Sequence, residues 1–357
     1  MRLLFSSTSG AGHLGPLLPL ARECVARGHE VTFASTERAA AAVAKHGVPF
    51  RAFGDGDAAK RGAVFATNAT RSVEASNERV VREVFGRINT GAALPGMRAL
   101  VRELQPELIL RDPCEAASWI AATEAGIPTA LVSCLLERSM AFLNEHLVAG
   151  LRPFAQKLGV ALAADVHQGS EAVVIGAPAH LDGDWEGARV LRAAPPHEAA
   201  PPARDGSVPE VLVCLGTVTG FLPGLLGSIG PAICEALGER PLRAVFAVGR
   251  GVDARALGPV PSNVEVVDFA PFAEVLPRCS LALVHGGHGT TLGVLAHGVP
   301  MVLTPLFSYD QFDLSQAVVD AGAGLRLPGP PSAAQIGVAI DAALANGTLA
   351  ERAEALG

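Results

Sequence analysis

The chain has 357 residues, of which 49% are hydrophobic, and its formal net charge is -7. This length and composition predict a folded protein with a large buried core, organised as two domains rather than one. The charges are dispersed along the chain. Without a basic face, we expect neither nucleic acid nor an anionic membrane surface as a partner.

The N-terminus and the cysteines indicate a cytoplasmic protein. Met1 and Arg2 lead directly into a strand-like segment, without the apolar stretch of a signal peptide. No apolar run approaches the roughly 18 residues of a membrane span. The 6 cysteines are scattered and form no C-x-x-C pair, which is typical of reduced thiols that are buried as small hydrophobic side chains.

Short apolar runs alternate with longer helical segments in the first half of the chain, as in parallel sheets covered on both faces. The predicted strands are Leu3–Ser6, Val31–Ser35, Leu108–Arg111 and Thr129–Ser133. The predicted helices cover 16–27, 37–46 and 114–125. Residues 54–75 lack clear periodicity, and we interpret them as a long surface loop of the kind that often contacts ligands.

A proline-rich segment, 192–210, separates this series from a second one and is the best candidate for a linker. In the second series the predicted strands are Val211–Leu215, Ala244–Val248, Val264–Val267, Leu281–Val284 and Met301–Thr304, and the predicted helices cover 224–238, 289–297 and 310–321. The pattern predicts an α/β protein with two Rossmann-like, doubly wound domains that face each other across a cleft. We place the domains at 1–195 and 210–357, with 196–209 as the linker.

The first glycine loop, SSTSGAGHLGP, contains a G-x-G-x-x-G pattern at 10–15 with two competing interpretations. In a dinucleotide-binding loop the helix begins within the pattern, and an acidic residue follows about 20 residues later. Glu37 lies close to that position. Pro16, however, is best suited to the first position of the helix, which would leave the pattern in the preceding loop. We therefore favour a loop in which the glycines let a substrate approach the backbone and His13 acts as a general base.

Asp112 supports this interpretation because it follows the predicted strand that ends at Arg111, at the same edge of the same sheet. A buried carboxylate there would hold one imidazole nitrogen of His13 as a donor and leave the other free to accept a proton. Two structural explanations remain open. His13 caps or packs within its loop, or Arg111 pairs with Asp112.

The second glycine loop, VHGGHGTT at 284–291, follows an apolar strand and leads into a helix. Backbone amides at a helix N-terminus form a site for phosphate oxygens, to which His285 and Thr290 can add side-chain donors. No lysine follows the glycines, so the loop is not a Walker motif. His285 and His288 have no third ligand nearby in the sequence, and we expect no metal ion there.

Asp310 and Gln311 follow the last predicted strand, at the start of a helix. A carboxylate beside a carboxamide offers the acceptors and donors that sugar hydroxyls require. The alternative is that Asp310 caps the helix, which is a common use of aspartate.

These segments resemble the nucleotide-sugar glycosyltransferases of the GT-B type, in the family 1 branch that decorates bacterial natural products such as antibiotics. The resemblance covers essentially the whole chain and is most specific over 263–328, from NVEVVDFAPF to GAGLRLP. The N-terminal segments GHLGPLLPL and ELILRDPC agree with it.

The resemblance implies a role for each candidate residue. The first domain would bind the acceptor, with His13 as the base that deprotonates its hydroxyl and Asp112 as the orienting partner. The second domain would bind a nucleotide diphosphate sugar as co-substrate, with no other cofactor and no metal, and transfer would invert the anomeric carbon. The donor-binding residues implied are Gly12, Thr217, Phe269, Ala270, His285, Gly287, His288, Gly289, Thr290, Asp310 and Gln311.

The segment DQFD, with Leu314 where many relatives have asparagine, looks closer to transferases that act on aromatic polyketides. The resemblance therefore implies a deoxysugar carried by TDP or UDP and a small, apolar acceptor. It is compatible with a homodimer.

Two other functions compete with this one. A sugar-nucleotide epimerase would need more carboxylates than Asp112 in the first half. A non-catalytic partner of another transferase would not need both His13 and the complete phosphate loop.

Overall fold

The computed structural model describes residues 1–67, 71–166, 170–183, 185, 187–193, 208–222 and 224–357. The chain divides into two compact units, Met1–Ala177 with Asp182–Ala194, and Pro178–Leu181 with Pro195–Gly357. The predicted linker, 196–209, lies outside the described residues except for its last two positions. Within the described part of the chain, no helix is both long enough and apolar enough to cross a bilayer.

The first unit is a parallel sheet with helices between its strands. The strands are β1 (Arg2–Ser6), β2 (Glu30–Thr36), β3 (Phe50–Phe53), β4 (Leu108–Arg111), β5 (Thr129–Ser133), β6 (Ser170–Ile175) and β7 (Val190–Arg192). The helices are α1 (Ala11–Ala26), α2 (Ala40–Ala44), α3 (Ala58–Ala66), α4 (Val73–Arg79), α5 (Thr90–Leu104), α6 (Ala116–Ala125) and α7 (Glu137–Leu158). A π-helical segment, Val80–Asn89, connects α4 to α5.

The strand order is β3-β2-β1-β4-β5-β6-β7, and the paired strands run parallel. The central strands are apolar because helices cover both of their faces, as the fully buried Leu4 and Phe5 of β1 show. Helix α1 packs its apolar side, including Leu14 and Leu17, onto this sheet. The carboxyl ends of β1, β4 and β5 are therefore neighbours at one edge.

The second unit repeats this architecture. Its strands are β8 (Glu210–Cys214), β9 (Arg243–Ala247), β10 (Val264–Val267), β11 (Leu281–Val284), β12 (Met301–Leu303) and β13 (Gly324–Arg326), in the order β10-β9-β8-β11-β12-β13. Its helices are α8 (Leu225–Gly238), α9 (Phe272–Val275), α10 (His288–Ala296), α11 (Tyr309–Asp320), α12 (Ala333–Ala345) and α13 (Gly347–Leu356). All described pairings are parallel, and a separate apolar core fills this unit. The predicted pair of Rossmann-like sheets and the predicted strands are confirmed.

The predicted start of the first helix is wrong. Helix α1 begins at Ala11 with Gly10 as its N-cap, so Pro16 lies inside the helix. The carbonyl of Gly10 accepts the N–H groups of His13 at 3.0 Å and Leu14 at 2.9 Å. Pro16 removes the hydrogen bond to the carbonyl of Gly12, and the helix tolerates this because Gly12 is exposed and water can satisfy that carbonyl.

The interpretation of 54–75 as one loop is also wrong, since it contains α3 and the start of α4. Each helix is capped by a side chain at its N-terminus. Asp57 accepts the N–H of Lys60 at 3.0 Å, and Ser72 accepts the N–H of Ala75 at 3.2 Å. These caps stabilise helices whose apolar faces are too short to produce a clear period.

Candidate active site

His13 and Asp112 are in direct contact in the first unit. The Nδ1 atom of His13 lies 3.0 Å from Oδ1 of Asp112. His13 is the third residue of α1, and Asp112 follows β4, which pairs with β1. The side chain of Asp112 is 1% exposed, whereas that of His13 is 23% exposed. The predicted meeting of these two residues is therefore observed, and the imidazole remains open to solvent.

The carboxylate of Asp112 is held by several donors besides His13. Its Oδ2 accepts the backbone N–H and the hydroxyl of Thr8, both at 3.2 Å, and its Oδ1 accepts the N–H of Cys114 at 3.1 Å. The backbone N–H of Asp112 donates to Ser6 at 2.9 Å. These bonds fix the carboxylate, and so they fix the orientation of the imidazole that it contacts.

The electrostatics favour a charged pair. Burial lowers the pKa of His13, but the nearby Asp112 and Cys134 raise it by more, so that the pKa lies well above the usual 6.5. Burial likewise raises the pKa of Asp112, and the contact with His13 outweighs it, so that this pKa is lowered. Asp112 thus stabilises the imidazolium that forms when His13 takes up a proton.

Arg111 is not the partner of Asp112. Its side chain is fully buried and stacks on Trp119, with the guanidinium carbon 5.2 Å from the ring centroid. One of its terminal nitrogens donates to the carbonyl of Val166. Among the described residues, no ion pair joins Arg111 to Asp112, and the explanation of Asp112 as a partner of Arg111 is wrong.

Two neighbours of His13 were not predicted from the sequence. Cys134 follows β5, and its Sγ lies 3.7 Å from Nδ1 of His13. The ring of Phe85, on the π-helical segment, packs edge-on against the imidazole with the centroids 5.7 Å apart. The position of Cys134 was available as a signal, because β5 is the next strand along the sheet from β4.

In the second unit, the predicted phosphate loop forms around His285. This residue follows β11, and the loops after β8 and β11 pack against each other through its imidazole. A Cβ atom at Gly216 would lie 2.4 Å from Nε2 of His285, and one at Gly287 would lie 2.3 Å away. Both positions therefore require glycine. Thr217 lies exposed directly after Gly216.

The N-terminus of α10 provides the backbone donors of this loop. Gly287 is the N-cap and His288 the first helical residue, one residue earlier than predicted, so Gly289 and Thr290 lie in the first turn. The first N–H groups of a helix have no intrahelical acceptor and attract anions. Burial lowers the pKa of His285 and of His288 to about 4, so both side chains are neutral hydrogen-bonding groups near pH 7.

Helix α11 packs against the same loop. A Cβ atom at Gly286 would lie 2.7 Å from the carbonyl oxygen of Gln311. The buried Gln311 side chain accepts the N–H groups of Leu306 at 2.9 Å and Phe307 at 3.2 Å through its Oε1. The N-cap residue of α11 is Ser308, so the alternative prediction that Asp310 caps this helix is wrong. The Ser308 hydroxyl donates a hydrogen bond to the Asp310 carboxylate.

Phe269 and Ala270, two of the donor-binding residues implied by the resemblance, differ in exposure. Phe269 is 57% exposed and Ala270 is 5% exposed. The guanidinium carbon of Arg250 lies 4.7 Å from the centroid of the Phe269 ring. Arg250 follows β9, which pairs with β10, and is not among the residues predicted from the sequence.

Comparison with known proteins identifies the family. Residues 245–357 match the family described as erythromycin biosynthesis protein CIII-like, C-terminal domain. The elloramycin glycosyltransferase ElmGT of Streptomyces olivaceus is 32% identical over 352 residues, which cover 92% of this chain and 87% of that protein. The chain belongs to the glycosyltransferases of antibiotic biosynthesis.

Two further similarities agree with this family. The L-demethylnoviosyl transferase of Streptomyces niveus is 29% identical over 364 residues, covering 92% of this glycosyltransferase and 85% of the relative. The solved structure of the spinosyn rhamnosyltransferase SpnG complexed with thymidine diphosphate superposes with a TM-score of 0.81 at 22% identity, covering 100% of this chain and 95% of SpnG. The protein is a GT-B glycosyltransferase of natural-product biosynthesis.

Family membership also bears on the dinucleotide interpretation of the first glycine loop. Because α1 begins inside the glycine pattern, the position of Pro16 does not argue against dinucleotide binding, contrary to the sequence analysis. The relatives argue against it instead, since they are named as transferases. The same names favour sugar transfer over epimerisation.

Proposed function

We propose that this glycosyltransferase moves a deoxysugar from a TDP- or UDP-sugar to a hydroxyl of a small apolar acceptor, with inversion at the anomeric carbon and with His13 as the general base. The contact between Nδ1 of His13 and Asp112 carries the proposal. Because the pKa of His13 is raised, the imidazolium must first lose its proton from Nε2; the proton on Nδ1 stays on the Asp112 side, and the lone pair then lies on Nε2. Among the described residues Nε2 has no hydrogen-bond partner, and it is the atom that would accept the acceptor's proton.

The reaction is a single displacement. The acceptor oxygen forms a bond to the anomeric carbon from the face opposite the diphosphate while the bond from that carbon to the diphosphate oxygen breaks. The hydroxyl proton passes to Nε2 of His13, and Asp112 stabilises the imidazolium. One displacement of this kind inverts the configuration of the anomeric carbon.

The donor is assigned to the second unit. Its diphosphate would accept hydrogen bonds from the first turn of α10, including Gly289 and Thr290, and from His285 and Thr217. The helix dipole and these donors supply the stabilisation of the leaving group that a divalent metal supplies elsewhere. Asp310 and the Nε2 amide of Gln311 would contact the sugar, because Oε1 of Gln311 is occupied by backbone N–H groups.

The nucleotide and the sugar class rest on the relatives. SpnG, a rhamnosyltransferase, was crystallised with thymidine diphosphate. Rhamnose is a deoxysugar, so we assign a TDP-deoxysugar as the first donor to test. The Phe269 ring under the Arg250 guanidinium offers an exposed aromatic surface on which the base would stack.

The test is single-turnover transfer from TDP-rhamnose to a panel of aromatic aglycones, analysed by mass spectrometry, with NMR of the product to establish the anomeric configuration. His13→Ala is expected to reduce the rate of transfer about 10²- to 10⁴-fold. Asp112→Asn keeps the base and should cost less. His46→Ala, on the same unit, is the matched control. Unchanged transfer in His13→Ala, or retention of configuration, would overturn the mechanism.

A further inference from the structure

His13, Asp112 and Cys134 form a cluster of three potential metal ligands. The Nδ1 atom of His13 is the common neighbour, with the Asp112 carboxylate at 3.0 Å and the Cys134 Sγ at 3.7 Å. One ligand atom from each residue lies within 4.8 Å of the other two. The three residues come from α1 and from the ends of β4 and β5, so the parallel sheet itself brings them together.

The separations resemble those of a tetrahedral zinc site. With Zn–N near 2.0 Å and Zn–S near 2.3 Å, tetrahedral geometry places the nitrogen and the sulfur about 3.5 Å apart, and the nitrogen and a carboxylate oxygen about 3.3 Å apart. Both observed distances from Nδ1 are within about 0.4 Å of these values. The third separation, between the Asp112 oxygen and the Cys134 sulfur, is at most 4.8 Å, against about 3.5 Å in that geometry. A metal ion would therefore draw these two side chains together.

The charge and softness of the ligands also suit this ion. A thiolate and a carboxylate neutralise a divalent ion, and a neutral imidazole completes three protein ligands, which is the number that open zinc sites have. Thiolate and imidazole select zinc and related transition metals over Mg²⁺. The bonds from Thr8 and Cys114 to Asp112 are the outer contacts that orient a metal-binding carboxylate.

We propose that His13, Asp112 and Cys134 form a binding site for Zn²⁺ or a similar transition-metal ion, and that its occupation blocks sugar transfer. From the imidazolium that pairs with Asp112, binding releases two protons to solvent, one from Nδ1 of His13 and one from the Cys134 thiol. From the neutral imidazole it releases only the thiol proton, while the proton of Nδ1 moves to Nε2. The oxidation states do not change. The imidazole then carries its remaining proton on Nε2. In that state the imidazole cannot accept the proton of the acceptor hydroxyl. The claim that metal binding blocks sugar transfer therefore rests on the proposed role of His13 as the base.

Binding of the metal ion is tested by optical spectroscopy, independently of activity. Co²⁺ is added to the chelator-treated full-length protein, and the thiolate-to-cobalt charge-transfer band and the visible bands of tetrahedral Co²⁺ are recorded. We expect both in the wild type and in Cys234→Ala, the matched control with a buried cysteine in the second unit. Cys134→Ala should lose the charge-transfer band, and Zn²⁺ should displace the cobalt. No band in the wild type, or a band that persists in Cys134→Ala, overturns the site.

Inhibition of sugar transfer by the bound metal is tested by transfer assays with Zn²⁺. Each variant is compared with its own metal-free rate. Zn²⁺ should inhibit the wild type and Cys234→Ala, and a chelator should restore their transfer rates. Inhibition of Cys134→Ala should require a zinc concentration that is higher by roughly tenfold or more. If cobalt binds through Cys134 while transfer continues at full rate, blocking and the base role of His13 both fail. If no cobalt binds while His13→Ala is inactive, the metal site fails and the base role stands.

Discussion

His285 shows how burial sets the chemistry of a single residue. Its pKa is lowered to about 4 by burial, so it stays neutral in the folded unit at a pH where the unfolded chain binds a proton. The unfolded state therefore binds a proton as the pH falls below 6.5, and the free energy of unfolding decreases. The decrease stops at about pH 4, where the folded state binds the proton as well. Between pH 7 and pH 5 this corresponds to about 2 kcal/mol of unfolding free energy for the one residue. His288 shares the lowered pKa, so His285→Gln should remove about half of the loss that the two residues cause together, as hydrogen exchange of the β11 amides can measure in the absence of nucleotide. An equally steep loss in His285→Gln would show that His285 does not cause the acid sensitivity of this unit.

The π-helical segment is the element whose packing bears most directly on the first site, because it carries Phe85 against His13. It approaches α7 closely, since a Cβ atom at Gly150 would lie 2.4 Å from the carbonyl oxygen of Arg82. Gly150→Ala should force the two elements apart, destabilise the first unit by about 1–3 kcal/mol, and raise the KM for the acceptor. Gly62→Ala is the control, because Gly62 lies in α3 with no atom within 4 Å of an added Cβ. We expect the control to be neutral or slightly stabilising. Urea denaturation and acceptor kinetics measure both effects, and equal behaviour of the two variants would contradict the packing argument.

At the scale of the whole molecule, each unit has its own apolar core and its own set of candidate residues. Substitutions in different units with no shared partners should act independently. We therefore expect His13→Ala to leave the Kd for TDP unchanged and Gly287→Ala to weaken it at least tenfold, because the added Cβ would collide with His285. The Kd should be the same with Mg²⁺ and with a chelator, since the helix dipole of α10 takes the place of a metal. Titration calorimetry measures all three, and TDP binding that requires Mg²⁺ would rule out the metal-free donor site.

The sequence alone determined the alternation of strands and helices, because strands covered on both faces must be continuously apolar. It also predicted that His13 and Asp112 meet, since residues after neighbouring parallel strands share one edge of the sheet, although the pairing of Arg111 with Asp112 remained open until the structure was known. Tertiary structure decided what local patterns could not. The start of α1 at Ala11 depends on an exposed carbonyl that tolerates Pro16, and the helices within 54–75 depend on their caps rather than on an apolar period. The contact of Cys134 with His13 depends on the order of β4 and β5 in the sheet, which is a property of the pairing of strands far apart in the chain.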